Sequence, residues 1–224
     1  PVMRGGIGVN CFYANKPSYL PYQAGSFIGN VAMGGACNVD LISFMPHGNG
    51  THTECIGHIN SDGQTIPDTL KEGFMLVSLI TVLPDEIEGD HIISRHLIEA
   101  RGVEEQTEAI IVRTLPNLES KRIHNYSGTN PAYFSWDALH FLREKGIKHL
   151  LCDIPSVDRE DDGGKLLAHR SFFGVPESPR LDATITELVF VSENIPDGLY
   201  MLNLQIAPFQ SDASPSRPLL YTIY

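Results

Sequence analysis

Residues 135–158 read SWDALHFLREKGIKHLLCDIPSVD, and this stretch packs a helix and a strand back to back. Ser135 suits a helix N-cap, because its hydroxyl can accept from one of the free amides of the first turn. Ala138, Leu139 and Leu142 then recur at the spacing of one helix face. Gly146 stops the helix, and 147–153 re-enters a sheet. Working outward, 73–84 (GFMLVSLITVLP) and 108–115 (EAIIVRTL) are β-branched and apolar enough for buried strands, and Pro84 ends the first. Between them SRHLIEARGV predicts a short helix from Ser94 to Gly102. Upstream, 39–45 alternates as a strand. Downstream, 183–195 (ATITELVFVSENI) is a long β-rich run, followed after a turn by GLYMLNLQIAPF. The end, SDASPSRPLLYTIY, predicts a polar, proline-containing loop and a last strand. Strands outnumber helices and alternate with them without repeats. The expectation is one α/β domain over 1–224, with a mixed β-sheet core and flanking helices.

Composition narrows the partners. A formal charge of −11 argues against nucleic acid, whose phosphates need clustered Lys and Arg, and against an anionic membrane surface. No apolar run approaches the roughly 20 residues of a membrane span. The first 22 residues lack a signal peptide's hydrophobic stretch, and the chain does not begin with Met, which leaves an upstream segment open. The four cysteines show no CxxC pairing, so a reduced, cytoplasmic setting is expected.

The chemistry concentrates in 45–59, MPHGNGTHTECIGHI. If this segment is extended, His52, Glu54 and His58 share one side. Imidazole and carboxylate suit zinc, manganese or iron. His47 reaches the same centre if the glycines fold the chain back, and Gly50 is the residue expected to allow a sharp turn. Solvated loop histidines are the bland alternative, and nine histidines in the chain make chance clustering a fair rival. Cys55, a strand neighbour of Glu54, is expected to point away from the ligands.

These residues resemble a known family. HGNGTHTECIGH, at 47–58, is similar to the H-x-G-T-H-x-D-x-P-x-H motif of the metal-dependent cyclases, which include bacterial kynurenine formamidase and isatin hydrolase. The order continues with AIIVRTL, the helix–strand unit ending in DIPSVD, AHRSFFGV, VFVSENI and SPSRPLLYTI. The resemblance implies a cyclase/kynurenine formamidase-like fold (swivelling β/β/α). It implies metal ligation by His52 and Glu54, a second ion on His169 and Glu193, and proton transfer by His58. Three departures stand out: the family's first histidine aligns at Gly48 with His47 displaced by one, Glu54 replaces an aspartate, and Ile56 replaces a proline. His47 is the expected substitute ligand.

The implied activity is hydrolysis of a small molecule's C–N amide bond, an aryl formamide such as N-formylkynurenine leading, which would place the chain in tryptophan catabolism. One or two divalent ions are expected, zinc before manganese, along with a homodimer or larger homo-oligomer. The alternatives are opening of a cyclic amide or lactone, and a non-catalytic binder with an altered metal site. No G-x-S-x-G element points to a serine nucleophile. Asp153 and Asp158 are read as loop-shaping, Arg113 and Arg217 as structural partners of acids. Phe12, Tyr13, Tyr19 and Tyr22 are read as lining a pocket or a subunit contact. His91, His96, His124, His140 and His149 are given no role.

Overall fold

The structure, a computed structural model, describes residues 1–223. The N-terminal arm carries β1 (Ser18–Pro21), β2 (Gln23–Ala24), β3 (Phe27–Ile28) and β4 (Asp40–Ser43), paired as β1–β4 and β2–β3. The strand expected at 39–45 therefore exists as β4. It pairs with β1 inside the arm, not with the main sheet, and stays largely exposed. A short helix α1 (Pro46–Asn49) leads to β5 (His52–Cys55), and α2 (Ile66–Thr69) to β6 (Phe74–Val82). Next come β7 (Asp85–Ile87), β8 (Asp90–Ile93), α3 (Arg95–Arg101), β9 (Ala109–Thr114), β10 (Tyr133–Phe134) and α4 (Trp136–Glu144). The chain closes with β11 (His149–Cys152), α5 (Leu167–Phe173), β12 (Thr184–Glu187), β13 (Gly198–Ile206) and β14 (Ala213–Thr222).

Seven strands close a mixed barrel in the order β11-β12-β5-β14-β13-β6-β9. Strand alternation divides its residues between two cores. Met75, Val77, Leu79, Ala109, Ile111, Leu151 and Leu202 fill the interior. Ile80, Val82, Ile110, Val112, Leu150 and Ile185 lie on the outer face, against Ile98 of α3, Leu139 and Leu142 of α4, and Phe172 and Phe173 of α5.

This alternation positions the site. Thr53 pairs with Thr186, and Glu54 with Ile185, in the β5–β12 ladder. The two threonine hydroxyls meet at 2.8 Å inside the barrel, which leaves His52, Glu54 and Glu187 on the helix-covered face. Cys55 shares the interior face with Thr53, as expected from its neighbour position, and is buried.

The β-rich run 183–195 is shorter as a strand than its composition implies. Leu188 takes a left-handed conformation, φ +55°, which ends β12 at Glu187. The chain then crosses the ends of its neighbours, Leu188 N donating to Ile154 O and Val189 N to Cys152 O. Conversely, the segment expected as a polar loop is already strand from Ala213 onward. Its prolines lie within the ladder itself, Pro215 opposite His52 and Pro218 opposite Leu204.

His149 opens β11 and is buried, with Nδ1 2.9 Å from Thr184 Oγ1. Burial holds its pKa down to about 4. The unfolded chain therefore binds a proton there between pH 6.5 and about 4 that the folded chain refuses. Stability should fall across that window as pH drops, by on the order of 3 kcal/mol once below it. Urea unfolding on either side of the window would show it, and a His149→Asn variant should have a visibly shallower pH slope.

Candidate metal centre

Each functional side chain arrives by a separate local device. α1 begins with Pro46 and is clamped by Asn49, whose Oδ1 accepts from Met45 N at 2.7 Å. This turn swings His47 back over β5. Gly50, the expected hinge, is simply extended, φ 161°, and a side chain there would meet only ordinary contacts. Gly48 is the constrained glycine. A Cβ there would lie 2.6 Å from Ala14 Cβ and 2.5 Å from the Met45 tip. A side chain at that position would force Ala14 and Met45 to shift, and the imidazole that reaches the cluster is that of His47. His58 does not come from the strand, since β5 ends at Cys55 and a 3-10 turn, Ile56–His58, returns the ring to the site.

His169 projects from α5. Asp158 holds it, accepting from Ala168 N at 2.7 Å, His169 N at 3.1 Å and the His169 Nδ1 at 2.6 Å. The loop-shaping role expected of Asp158 is thus joined to a second one, orienting the ring. Such a carboxylate behind a ligating imidazole fixes its tautomer and direction. His169 Nε2 then faces Glu54 Oε1 at 2.8 Å.

Glu54 is fully buried, and its Oε2 lies 3.2 Å from His47 Nδ1 and 3.9 Å from His58 Nε2. Glu187 Oε2 lies 3.2 Å from His52 Nε2, and Glu187 Oε1 is 4.0 Å from His169 Nε2. Asp212 closes the mouth, 2.9 Å from His47 Nε2 and 3.3 Å from His58 Nδ1. Single donor atoms of His47, His52 and Glu54 lie within 4.8 Å of one another, as do those of Glu54, His58 and His169, and of His47, His58 and Asp212.

Two atoms decide what this arrangement is built to hold. His52 Nδ1 sits 3.0 Å from Gly50 O, and a carbonyl only accepts, so Nδ1 carries a proton and, in the neutral ring, Nε2 presents a lone pair. That lone pair points at the Glu187 carboxylate, two acceptors face to face. His52 Nε2 and Glu54 Oε2 are both buried without a hydrogen-bond partner. Acceptors converging in a buried space are costly unless a cation lies among them. The donor set, imidazole nitrogen plus carboxylate oxygen, is that of a zinc or manganese site. The residues present fit a divalent cation.

Among the protein's own groups, the imidazoles answer the carboxylates. Burial alone would lower the pKa of His47, but the hydrogen bond to Asp212 and the neighbouring Glu54 carboxylate raise it to about 10. Burial likewise opposes charge on His169, yet Glu54 and Asp158 hold its pKa well above the usual value. Glu54 is pushed up by burial and pulled further down by His169 and His58.

His47, His52, Glu54, His58 and His169 are therefore brought together, and Glu193 is not. Glu193 is exposed in the turn after β12, beside Ser192 and Ile195, whose carbonyls accept from Arg113. The expectation placed on Glu193 passes to Glu187, because the Leu188 turn takes the later glutamate off the strand. Both interrupt the same apolar run. The signal for Glu187 was its place in the strongly alternating first half of that run. Asp212 was also missed, hidden in a polar stretch whose pairing with β5 is long-range.

The remaining residues fall into structural roles. Arg113 bonds Thr81 Oγ1, two carbonyls and Asp197, whereas Arg217 departs from expectation, lying exposed on β14 with no acid paired to it among the described residues. Asp153 accepts from Thr114 N and Lys121 Nζ. Tyr13 and Tyr22 are exposed, Phe12 packs near Cys11 and Tyr126, and Tyr19 Oη donates to Val2 O.

Comparison with known proteins agrees with the fold. Residues 9–159 match the model of a family described as putative cyclase. The kynurenine formamidases of Bacillus cereus and Bacillus anthracis are each 26% identical over 197 residues, covering 84% of this chain and 82% of theirs. A solved structure described as a potential metal-dependent hydrolase with cyclase activity superposes with a TM-score of 0.70 at 18% identity, over 98% of this chain and 93% of that one. An isatin hydrolase bound to the product analogue thioisatinate gives 0.62 at 17% identity, over 92% and 81%. Among the described residues no helix is long and apolar enough to cross a membrane.

Proposed function

Because the chain belongs to the cyclase family, we propose that it is a metal-dependent hydrolase cleaving a C–N amide bond of a small molecule, with an aryl formamide such as N-formylkynurenine as the leading substrate. The observation that carries this reading is the convergence of the unpartnered His52 Nε2 and Glu54 Oε2 with Glu187 and His169 in one buried space. The relatives named kynurenine formamidase, matched over most of both chains, support the choice of substrate class.

His52, Glu54, His169 and Glu187 would hold the cation, zinc before manganese, with His47 at the rim. A divalent ion there supplies Lewis acidity, acidifying water and polarising a carbonyl at neutral pH. His58 would serve as the base. Its side chain is 30% exposed while Glu54 beneath it is 1% exposed, so it can meet substrate at the mouth without leaving the site. It would take a proton from the attacking water and return it to the departing nitrogen. Such proton transfer is worth about 10²–10⁴-fold.

The arm supports self-association. Leu20, Leu41, Ile42, Val31 and Met33 are large, apolar and exposed there, a surface that a second copy would cover. Homo-oligomerisation through the arm is part of this proposal.

The zinc-loaded protein should hydrolyse N-formylkynurenine or formanilide faster than it opens lactams or lactones. Turnover confined to ring substrates would replace the linear-amide reading with ring opening. Bound metal with no turnover on either class would leave a binding protein.

A further inference from the structure

Asp212 belongs to no part of the chemistry assigned above. It stands just before β14, and its carbonyl accepts from Cys55 N at 3.0 Å, which ties its backbone to the end of β5. The next residue, Ala213, pairs directly with Glu54. The sheet therefore fixes Asp212 beside the buried carboxylate.

Its carboxylate is fully engaged. Oδ2 lies 2.9 Å from His47 Nε2 and 3.3 Å from His58 Nδ1, and Oδ1 accepts from Ser211 Oγ at 2.9 Å. With donors on both oxygens, the group is poorly placed to ligate a cation. It is well placed to set ring directions. An imidazole whose Nδ1–H is bound to a carboxylate must present Nε2 on its opposite edge. His58 Nε2 does face inward, 3.9 Å from Glu54 Oε2, and the His58 ring centroid is 5.4 Å from that of His169. The neighbouring His47 ring, 4.3 Å away centroid to centroid, blocks rotation on one side.

We infer that Asp212 is a positioning residue, which holds His58 through Nδ1 in the one tautomer whose Nε2 can exchange a proton with the reacting atoms. The inference rests on the hydrolase reading for His58's role, but the tautomer itself is a property of this fold.

Asp212→Asn, compared with the zinc-loaded wild type, tests it with three readouts. Two-bond ¹⁵N–¹H spectra of histidine-labelled protein, with His58 assigned by its loss in His58→Gln, should show the Nδ1–H tautomer in the wild type and a mixture in the variant. On formanilide, kcat should fall about 10–100-fold with KM within about threefold, the range for groups that orient a functional side chain. Zinc content by elemental analysis should be unchanged. Loss of zinc in Asp212→Asn would make Asp212 a ligand and overturn the inference. So would an Nε2–H tautomer in the wild type, or an unaltered kcat. If the wild type cleaves no amide, the hydrolase reading falls while the spectra still judge Asp212 on their own.

Discussion

Glu187→Gln is expected to lose the divalent cation while becoming more stable in its absence, and Glu193→Gln to match the wild type in both respects. The physical reason lies in the pair of acceptors at the bottom of the site. Glu187 Oε1 accepts from Val157 N at 3.0 Å, and Oε2 faces the His52 Nε2 lone pair at 3.2 Å. A glutamine keeps the first contact and turns the second into a proper hydrogen bond, its amide N–H donating to Nε2. Satisfying that buried nitrogen should contribute about 1–3 kcal/mol to the metal-free fold. The same change removes an anionic ligand, so cation affinity should weaken by at least about 10²-fold. The thermal upshift expected of the wild type with zinc, which follows from binding the native state alone, should then largely vanish. Melting curves with zinc and with chelator on the two variants decide the matter. Cation loss in Glu193→Gln with retention in Glu187→Gln would return the site to the later glutamate.

His58→Gln should separate binding from chemistry. The ring is partly exposed at the mouth, while His52, Glu54, His169 and Glu187 line the buried floor. Removing His58 leaves that floor intact, so zinc content should hold at the wild-type level. Turnover of an aryl formamide should fall by about 10²–10⁴-fold, the usual value of a positioned proton carrier. A glutamine keeps the bulk and a hydrogen-bonding end, which limits repacking as an explanation. Zinc loss in this variant would make His58 a ligand of the group it forms with Glu54 and His169. Full turnover would remove it from the mechanism.

Much of the scaffold was legible because local chemistry specified it. The β-branched run ending at Pro84 marked β6, and Ser135 with Gly146 marked the ends of α4 and the entry to β11, although the Ser135 hydroxyl makes no capping bond and turns to Ile93 O instead. The alternation of His52 and Glu54 placed both on one face whatever the partner strands were. Other features needed the fold. Nothing local marked Leu188 as left-handed, since a leucine in a β-rich run favours continuing the strand, and that single residue decided between Glu187 and Glu193. The arm strand at Asp40–Ser43 alternated well enough to be recognised, but its pairing to Ser18–Pro21 outside the barrel was not.

What the sequence by itself determined was an α/β chain with a candidate metal-binding pair, His52 and Glu54, on one edge of an extended segment. The two-residue period of a strand is a property of the backbone and requires no neighbour. What only the tertiary structure decided was which side chains stand around that pair. Glu187 arrives through the antiparallel pairing of β12 with β5, in which it stands opposite His52 and in which Thr53 meets Thr186 across 133 residues of chain. His169 comes through a helix laid over the barrel, and Asp212 through the closing strand. Contacts of that separation depend on strand order and register, which are fixed by burying one face of every strand at once.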